Sequence, residues 1–226
     1  MKKLTVAFLL VIFSLSSFAQ NDGGVRFGLQ LSPQISWLTA GDAEIKNDGS
    51  NFGVAYGLLL DLNIPSNYAF STGLSISYEG GGLSYVDSTK FNTFPDNVYA
   101  AGTRVDYHLG YIEIPVSLKL MTNKIGYVTY FGQFGILGGI NIRSKADITL
   151  SNGNNSAERE DFGADVTPGN ISLLLGGGLE YNFTGNTSLL AGLQFANGFV
   201  DVTDNPQDYK TKSVINHFRL QLGVFF

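Results

Sequence analysis

From Val25 onward the chain alternates apolar and polar residues with a period of two, in segments of about 10 to 14 residues set apart by turn residues. The last segment shows the pattern most plainly. Val214, Asn216, Phe218, Leu220, Leu222, Val224 and Phe226 form one face, and Ile215, His217, Arg219, Gln221, Gly223 and Phe225 the other. Ile112, Ile114, Val116, Leu118 and Leu120 alternate in the same way with Tyr111, Glu113, Pro115, Ser117 and Lys119. The pattern predicts eight strands, over 25–37, 52–62, 68–79, 111–120, 127–142, 169–183, 187–199 and 214–226.

The face opposite the apolar one is built of Gly, Ser, Ala and Gln with a few charges. That set is too slight to coat a protein in water, so the faces read as inverted, with large apolar side chains outward and small or polar ones inward. An eight-stranded barrel has room inside only for side chains, and Gly28, Gly57, Gly73, Gly135, Gly176 and Gly192 on the inward phase suit that interior. The fold class predicted is all-β, a transmembrane antiparallel up-and-down β-barrel of about eight strands. Closure pairs every backbone N–H and C=O, as lipid demands.

Connection lengths alternate. Residues 63–67, 121–126 and 184–186 form tight turns, whereas 38–50, 80–107, 143–168 and 200–212 are long and polar. This is the asymmetry of periplasmic turns and outer loops, and it predicts periplasmic termini. Phe27, Tyr68, Phe70, Tyr181, Phe183 and Phe226 gather at one rim and Trp37, Phe52, Tyr78 and Phe199 at the other, as an interfacial girdle requires. Pro33 and Pro115 lie inside strands, where a missing N–H predicts bulges. The glycine triplet Gly80 to Gly82 reads as a loop tip, and a further hairpin within 80–107 would raise the strand number to ten.

Composition narrows the class. Charged residues make up 15% of the 226 and glycine 28 of them, against about 25% and about 7% in ordinary soluble domains. A pI of about 4.9 offers no basic nucleic-acid footprint, so no nucleic-acid partner is expected. Lys2 and Lys3, an apolar stretch to Phe13 and the small-x-small Ser17-Phe18-Ala19 predict a signal peptide over 1–19, leaving 20–226 as one barrel domain. The chain has no cysteine, so no disulfide framework supports it.

The segment Leu109-Gly110-Tyr111-Ile112-Glu113-Ile114-Pro115-Val116-Ser117-Leu118-Lys119-Leu120 resembles the "YxEIPxxLK" strand of the PorT-like outer-membrane β-barrel family. The Gly28 to Ser36 strand, the glycine-rich strand Leu174 to Tyr181 and the strand ending in Phe226 are similar to that family in the same order. The resemblance implies an outer-membrane barrel of a Gram-negative bacterium and no reaction. Phe218, Leu220, Leu222, Val224 and Phe226 also resemble the recognition strand read by the barrel-assembly machinery, which makes that machinery an expected partner beside outer-membrane lipid.

The inward phase places Arg26, Asp61, Glu113, Lys119, Glu180, His217 and Arg219 in the lumen, with His217 apart from the three basic and three acidic groups. Confined charges are costly unless paired, so a salt-bridge plug is expected, with an ion path as the alternative. His108 near Asp106 and Arg104 offers the only acid–histidine constellation outside the lumen, and it is read as exposed polar loop end rather than as a catalytic site. The acidic stretches with Glu158, Glu160, Asp161 and Asp165, and with Asp201, Asp204 and Asp208, lack regular ligand spacing and are read as solvated. No catalytic residue, metal or cofactor is predicted. The expected function is a non-enzymatic, plugged outer-membrane barrel, structural or binding an unknown partner through its outer loops. A narrow pore and an accessory role in envelope secretion are the alternatives.

Overall fold

The computed structural model describes residues 24–64, 67–185, 187–206 and 211–226. The expected signal peptide, Asn186 and Asp208 therefore lie outside the described residues. The described residues build eleven strands: β1 (Val25–Ala40), β2 (Ile45–Ile64), β3 (Tyr68–Tyr85), β4 (Thr89–Phe91), β5 (Phe94–Tyr99), β6 (Arg104–Met121), β7 (Val128–Thr149), β8 (Asn155–Asp161), β9 (Gly169–Thr184), β10 (Thr187–Gly198) and β11 (Ser213–Phe225). Every pairing is antiparallel. The sheet runs β6-β3-β2-β1-β11-β10-β9-β7, and a further β6–β7 ladder closes it into an eight-stranded barrel.

The hairpin anticipated inside 80–107 exists as β4–β5, but it forms its own two-stranded sheet and leaves the barrel count at eight. β8 folds back on the extension of β7 in the place β9 occupies lower down. The strands are longer than the sequence pattern suggests. The expected loop over 38–50 shrinks to a turn over 41–44, and Gly80 to Gly82 are strand residues of β3 rather than a loop tip. There β2 carries two register shifts and β3 presses close to β1. A Cβ at Gly81 would lie 2.7 Å from the backbone N of Leu38, and one at Gly80 or Gly82 would overlap a carbonyl oxygen.

Neither proline marks a bulge. The registers of β1–β11 and β3–β6 continue unchanged on either side of Pro33 and Pro115, and pairing simply lapses at those rungs. On its other side each proline sits in an unbroken ladder, opposite Val54 and Leu137 respectively. A strand has N–H groups pointing both ways in alternation, so a proline removes a bond on one side only.

Along the lower two thirds of the barrel the outward row is apolar. Leu31, Leu58, Ile114, Leu193, Phe218 and Leu222 are exposed, while Gln30, Ser75, Glu113, Ser117, Gln194 and Gln221 are buried. Towards the long-loop end the chemistry reverses along the same strands. Leu38, Ile45, Leu83, Tyr85, Val105, Tyr107, Leu109, Ala146 and Ile148 now face inward and are buried, and Lys46, Arg104, Asp106, His108 and Lys145 face outward. The hairpin, Phe162 and Val202 fold down into this end to complete an apolar core. Phe91 is its hub, with ring centroids 5.0 to 5.5 Å from Phe162, Tyr99 and Tyr85. Register shifts in β2 and at Gly110/Tyr111 of the β6–β7 ladder lie at the changeover. The second inserts one extra residue in β7, moving its inward row from odd numbers (Phe131, Gln133, Leu137) to even ones (Ser144, Ala146, Ile148).

Candidate functional site

The seven charged residues of the inward phase lie in the lumen, in two groups at different heights. At the short-turn end Lys119, 1% exposed, reaches across from β6 to Asp61 on β2 at 2.8 Å and to Glu180 on β9. Arg26 donates to Glu180 at 2.7 Å and to Ser188 at 3.0 Å, and the Ser71 hydroxyl donates to Asp61 at 2.6 Å. Two cations and two carboxylates thus neutralise each other. Aromatic faces cover both cations: Arg26 sits 4.3 Å from the Phe225 ring centroid, and Lys119 sits 4.6 Å from that of Phe131 and 4.9 Å from that of Phe225. A buried charge network is tolerable when its hydrogen bonds are this complete.

Half-way up, Arg219 donates to both carboxylate oxygens of Glu113 at 3.1 and 2.9 Å and to Gln34 at 2.8 Å. Gln34 in turn donates to Ser77 at 2.8 Å and to the Tyr78 carbonyl at 2.9 Å. The His217 Nδ1 is 2.9 Å from Glu79, a buried residue that sequence reasoning left out of the lumen. Glu79 continues the odd-numbered inward row of β3 beyond Ser75 and Ser77, which was the available signal. Its place next to a glycine triplet made it look like a strand end.

Between the two groups a chain of amides crosses the lumen, Gln194 donating to Gln221 at 3.0 Å and Gln221 to Gln30 at 3.1 Å. A cavity of about 20 Å³, lined by Ser71, Ser75, Ser117, Gln133, Gln194 and Gln221, remains beside it, room for about one water. Among the described residues, one set of acid and histidine side chains is close enough to share a metal ion: Glu79, Glu113 and His217, with donor atoms within 4.8 Å of one another. Glu113 is already held by Arg219 and Glu79 by the His217 Nδ1, while the His217 Nε2 is buried and, among the described residues, has no hydrogen-bond partner.

At the long-loop end His108, Asp106 and Arg104 share the outward face of β6, but Asp106 pairs with Arg104 at 2.8 Å and not with the histidine. His108 Nε2 lies 2.9 Å from Asp147 and its Nδ1 3.0 Å from the Asn51 amide, so neither ring nitrogen is free. Burial alone would raise the Asp147 carboxyl, but the Arg159 backbone N–H and His108 outweigh it and hold it below the ordinary carboxylate value. Of the acidic loop residues, Glu158, Glu160 and Asp161 are exposed. Asp165 is fully buried and clasps two connections together: it accepts from Asn92 N at 2.5 Å, Thr93 N at 2.8 Å and Thr93 Oγ1 at 2.6 Å. Burial holds its carboxyl above the ordinary value. The residues Phe218, Leu220, Leu222, Val224 and Phe226 form an exposed outward row.

The model of the outer membrane protein beta-barrel domain family matches residues 18–204 of the chain. Among solved structures the chain is similar to Neisserial surface protein A, with 15% identity and a TM-score of 0.47 over 88% of this chain and 95% of that one. It is also similar to the attachment invasion locus protein Ail of Yersinia pestis, crystallised with the heparin analogue sucrose octasulfate, at 14% identity and a TM-score of 0.41 over 89% and 99%. For the outer membrane protein AlkL in lipid bilayers the values are 9% and 0.45, over 89% of each chain. No curated protein matches the chain.

Proposed function

Since the chain belongs to the outer membrane protein beta-barrel domain family, with a bacterial outer-membrane β-barrel as its architecture, we propose that it is a non-conducting, non-enzymatic membrane platform whose lumen is sealed and whose long-loop end presents a folded cap. In this reading the short turns and both termini face the periplasm and the cap faces outward. A PorT-like position within the family rests on the Leu109 to Leu120 strand.

The observation that carries the proposal is the stack of three seals along one axis. An ion-pair network centred on Lys119 closes the short-turn end, Arg219 and Glu113 with the glutamine chain fill the middle, and an apolar core with Phe91 and Phe162 closes the other end. A hydrated ion would have to break paired charges and then cross packed aromatic rings. The cap differs from a set of solvated loops in being tied down, by the Asp165 clasp and by hydrogen bonds from Asn92 Nδ2 to the carbonyls of Ala164 and Asp204. A tied cap offers a fixed surface to a partner with little ordering cost.

Planar-bilayer recording of the refolded chain tests the proposal, with a cap-destabilised Phe162→Ala protein run in parallel. The expected result is no step conductance from either protein, because the two lower seals remain. Sustained single-channel current from the unmodified chain would favour the narrow pore instead.

A further inference from the structure

On the outward wall, at the level where the apolar band ends, glycines of β3 and β6 stand opposite residues with side chains. Gly82 faces Asp106, Gly80 faces His108, and Gly110 lies between Tyr78 on β3 and Arg143 on β7. Beside them lies a hollow of about 200 Å³ lined by Ser50, Asn51, Gly82, Asp106, His108 and Asp147. Its lower margin carries Arg143 and Lys145 on successive outward rungs of β7. Arg143 is exposed and, among the described residues, has no carboxylate within ion-pair distance, and the Lys145 ammonium meets only the carbonyl of Arg159, at 2.9 Å.

We propose that this wall binds the phosphorylated saccharide headgroup of an outer-leaflet glycolipid, with Arg143 and Lys145 holding phosphate and the hollow taking sugar hydroxyls. Three features fix that class of ligand. Height comes first: Ile140 and Ile142, exposed at 60% and 50%, stand immediately below Arg143, so an anion here lies at the top of the hydrocarbon, where a lipid phosphate resides. Charge comes second. Arg104 is shared between Asp48 and Asp106, and Asp147 lies 2.9 Å from His108 and 3.7 Å from Arg159, whereas Arg143 and Lys145 have, among the described residues, no carboxylate within ion-pair distance. Third, the hollow mixes acceptors (Asp106, Asp147) with donors (the Asn51 amide, the Ser50 hydroxyl), the combination that suits vicinal hydroxyls rather than an acyl chain.

The assignment to the outer leaflet rests on the orientation proposed above, so two measurements are needed. The full chain is placed in phosphatidylcholine nanodiscs doped with diphosphoryl lipid A or its dephosphorylated form, and retained lipid is counted by native mass spectrometry. The expected result is preferential retention of the diphosphoryl form, cut about tenfold in an R143A/K145A double variant that keeps the heat-modifiable barrel, and unchanged in K46A. Equal retention of both lipids, or of diphosphoryl lipid by the double variant, overturns the site. Displacement by inorganic pyrophosphate as effective as by lipid A reduces it to a phosphate site and overturns the glycolipid. Separately, a cysteine introduced at Asn152 should react with an impermeant maleimide on intact cells. Labelling only after permeabilisation overturns the outer-leaflet assignment even where nanodisc retention holds.

Discussion

The membrane band and the cap are built from the same strands in opposite chemical senses. In β6, Val105, Tyr107, Leu109, Glu113, Ser117 and Lys119 all point inward. The first three fill a core like that of a soluble protein, and the last three line a polar lumen. On the outward row Asp106 and His108 give way to Ile112, Ile114 and Leu118. Period-two alternation therefore reports only that a strand has two faces. Which face is greasy reports the solvent outside, and in this chain that solvent changes from water to lipid within a few rungs.

The comparison breaks most severely at the lower seal. Lys119→Met removes the one cation that bridges Asp61 and Glu180 and should cost about 3–5 kcal/mol, because it strands buried carboxylates. The heat-modifiable transition on SDS gels should fall steeply, and the cap should fail with the barrel. Phe162→Ala acts on the other region. Loss of about 3 kcal/mol of packing should open the 150–168 connection to proteolysis while the barrel transition stays where it was. A barrel that melts together with the opened cap would show that the two regions form a single cooperative unit.

Glu113→Gln should have an intermediate effect, about 1–3 kcal/mol, since the amide still accepts from Arg219 but the charge pair is gone. Heat resistance falls and no conductance appears. pH gives the smallest and most local effect. Because burial raises the Asp165 carboxyl, its contribution to cap stability is complete below the ordinary value of about 3.9 and is lost as pH rises through the raised one. Asp147, held below the ordinary value, runs the other way: its contribution is present above about 3.9 and is lost as pH falls through the lowered value. Hydrogen exchange at Asn92 and Thr93, corrected for intrinsic rates, should slow from about pH 7 towards about pH 4, and the trend should vanish in Asp165→Asn.

The barrel was legible because lipid imposes one rule on many residues at once. Eight alternating segments with alternating connection lengths leave little choice of fold. The cap was not, although Arg104-Val105-Asp106-Tyr107-His108-Leu109 alternates as strictly as any membrane strand. Its polar members made the segment read as loop, because the rule in use asked for outward grease. The extra residue of β7 near Asn141 and the two register shifts of β2 leave no composition signal, since a bulge needs only a rung that pairs with nothing. Most of the lumen charges could be placed by phase alone. Their partners could not, because Arg219 with Glu113 and Lys119 with Glu180 meet across the barrel from strands that are not neighbours.

The account stands on the inversion of faces along a single strand, and the absence of cysteine makes it directly measurable. Spin labels introduced one at a time along β6 should report collision with dissolved oxygen at Ile112, Ile114 and Leu118, and with a water-soluble paramagnet at Asp106 and His108, all on one outward row. Aqueous exposure along the whole row, or oxygen collision maximal at Glu113 and Ser117 instead, would contradict it.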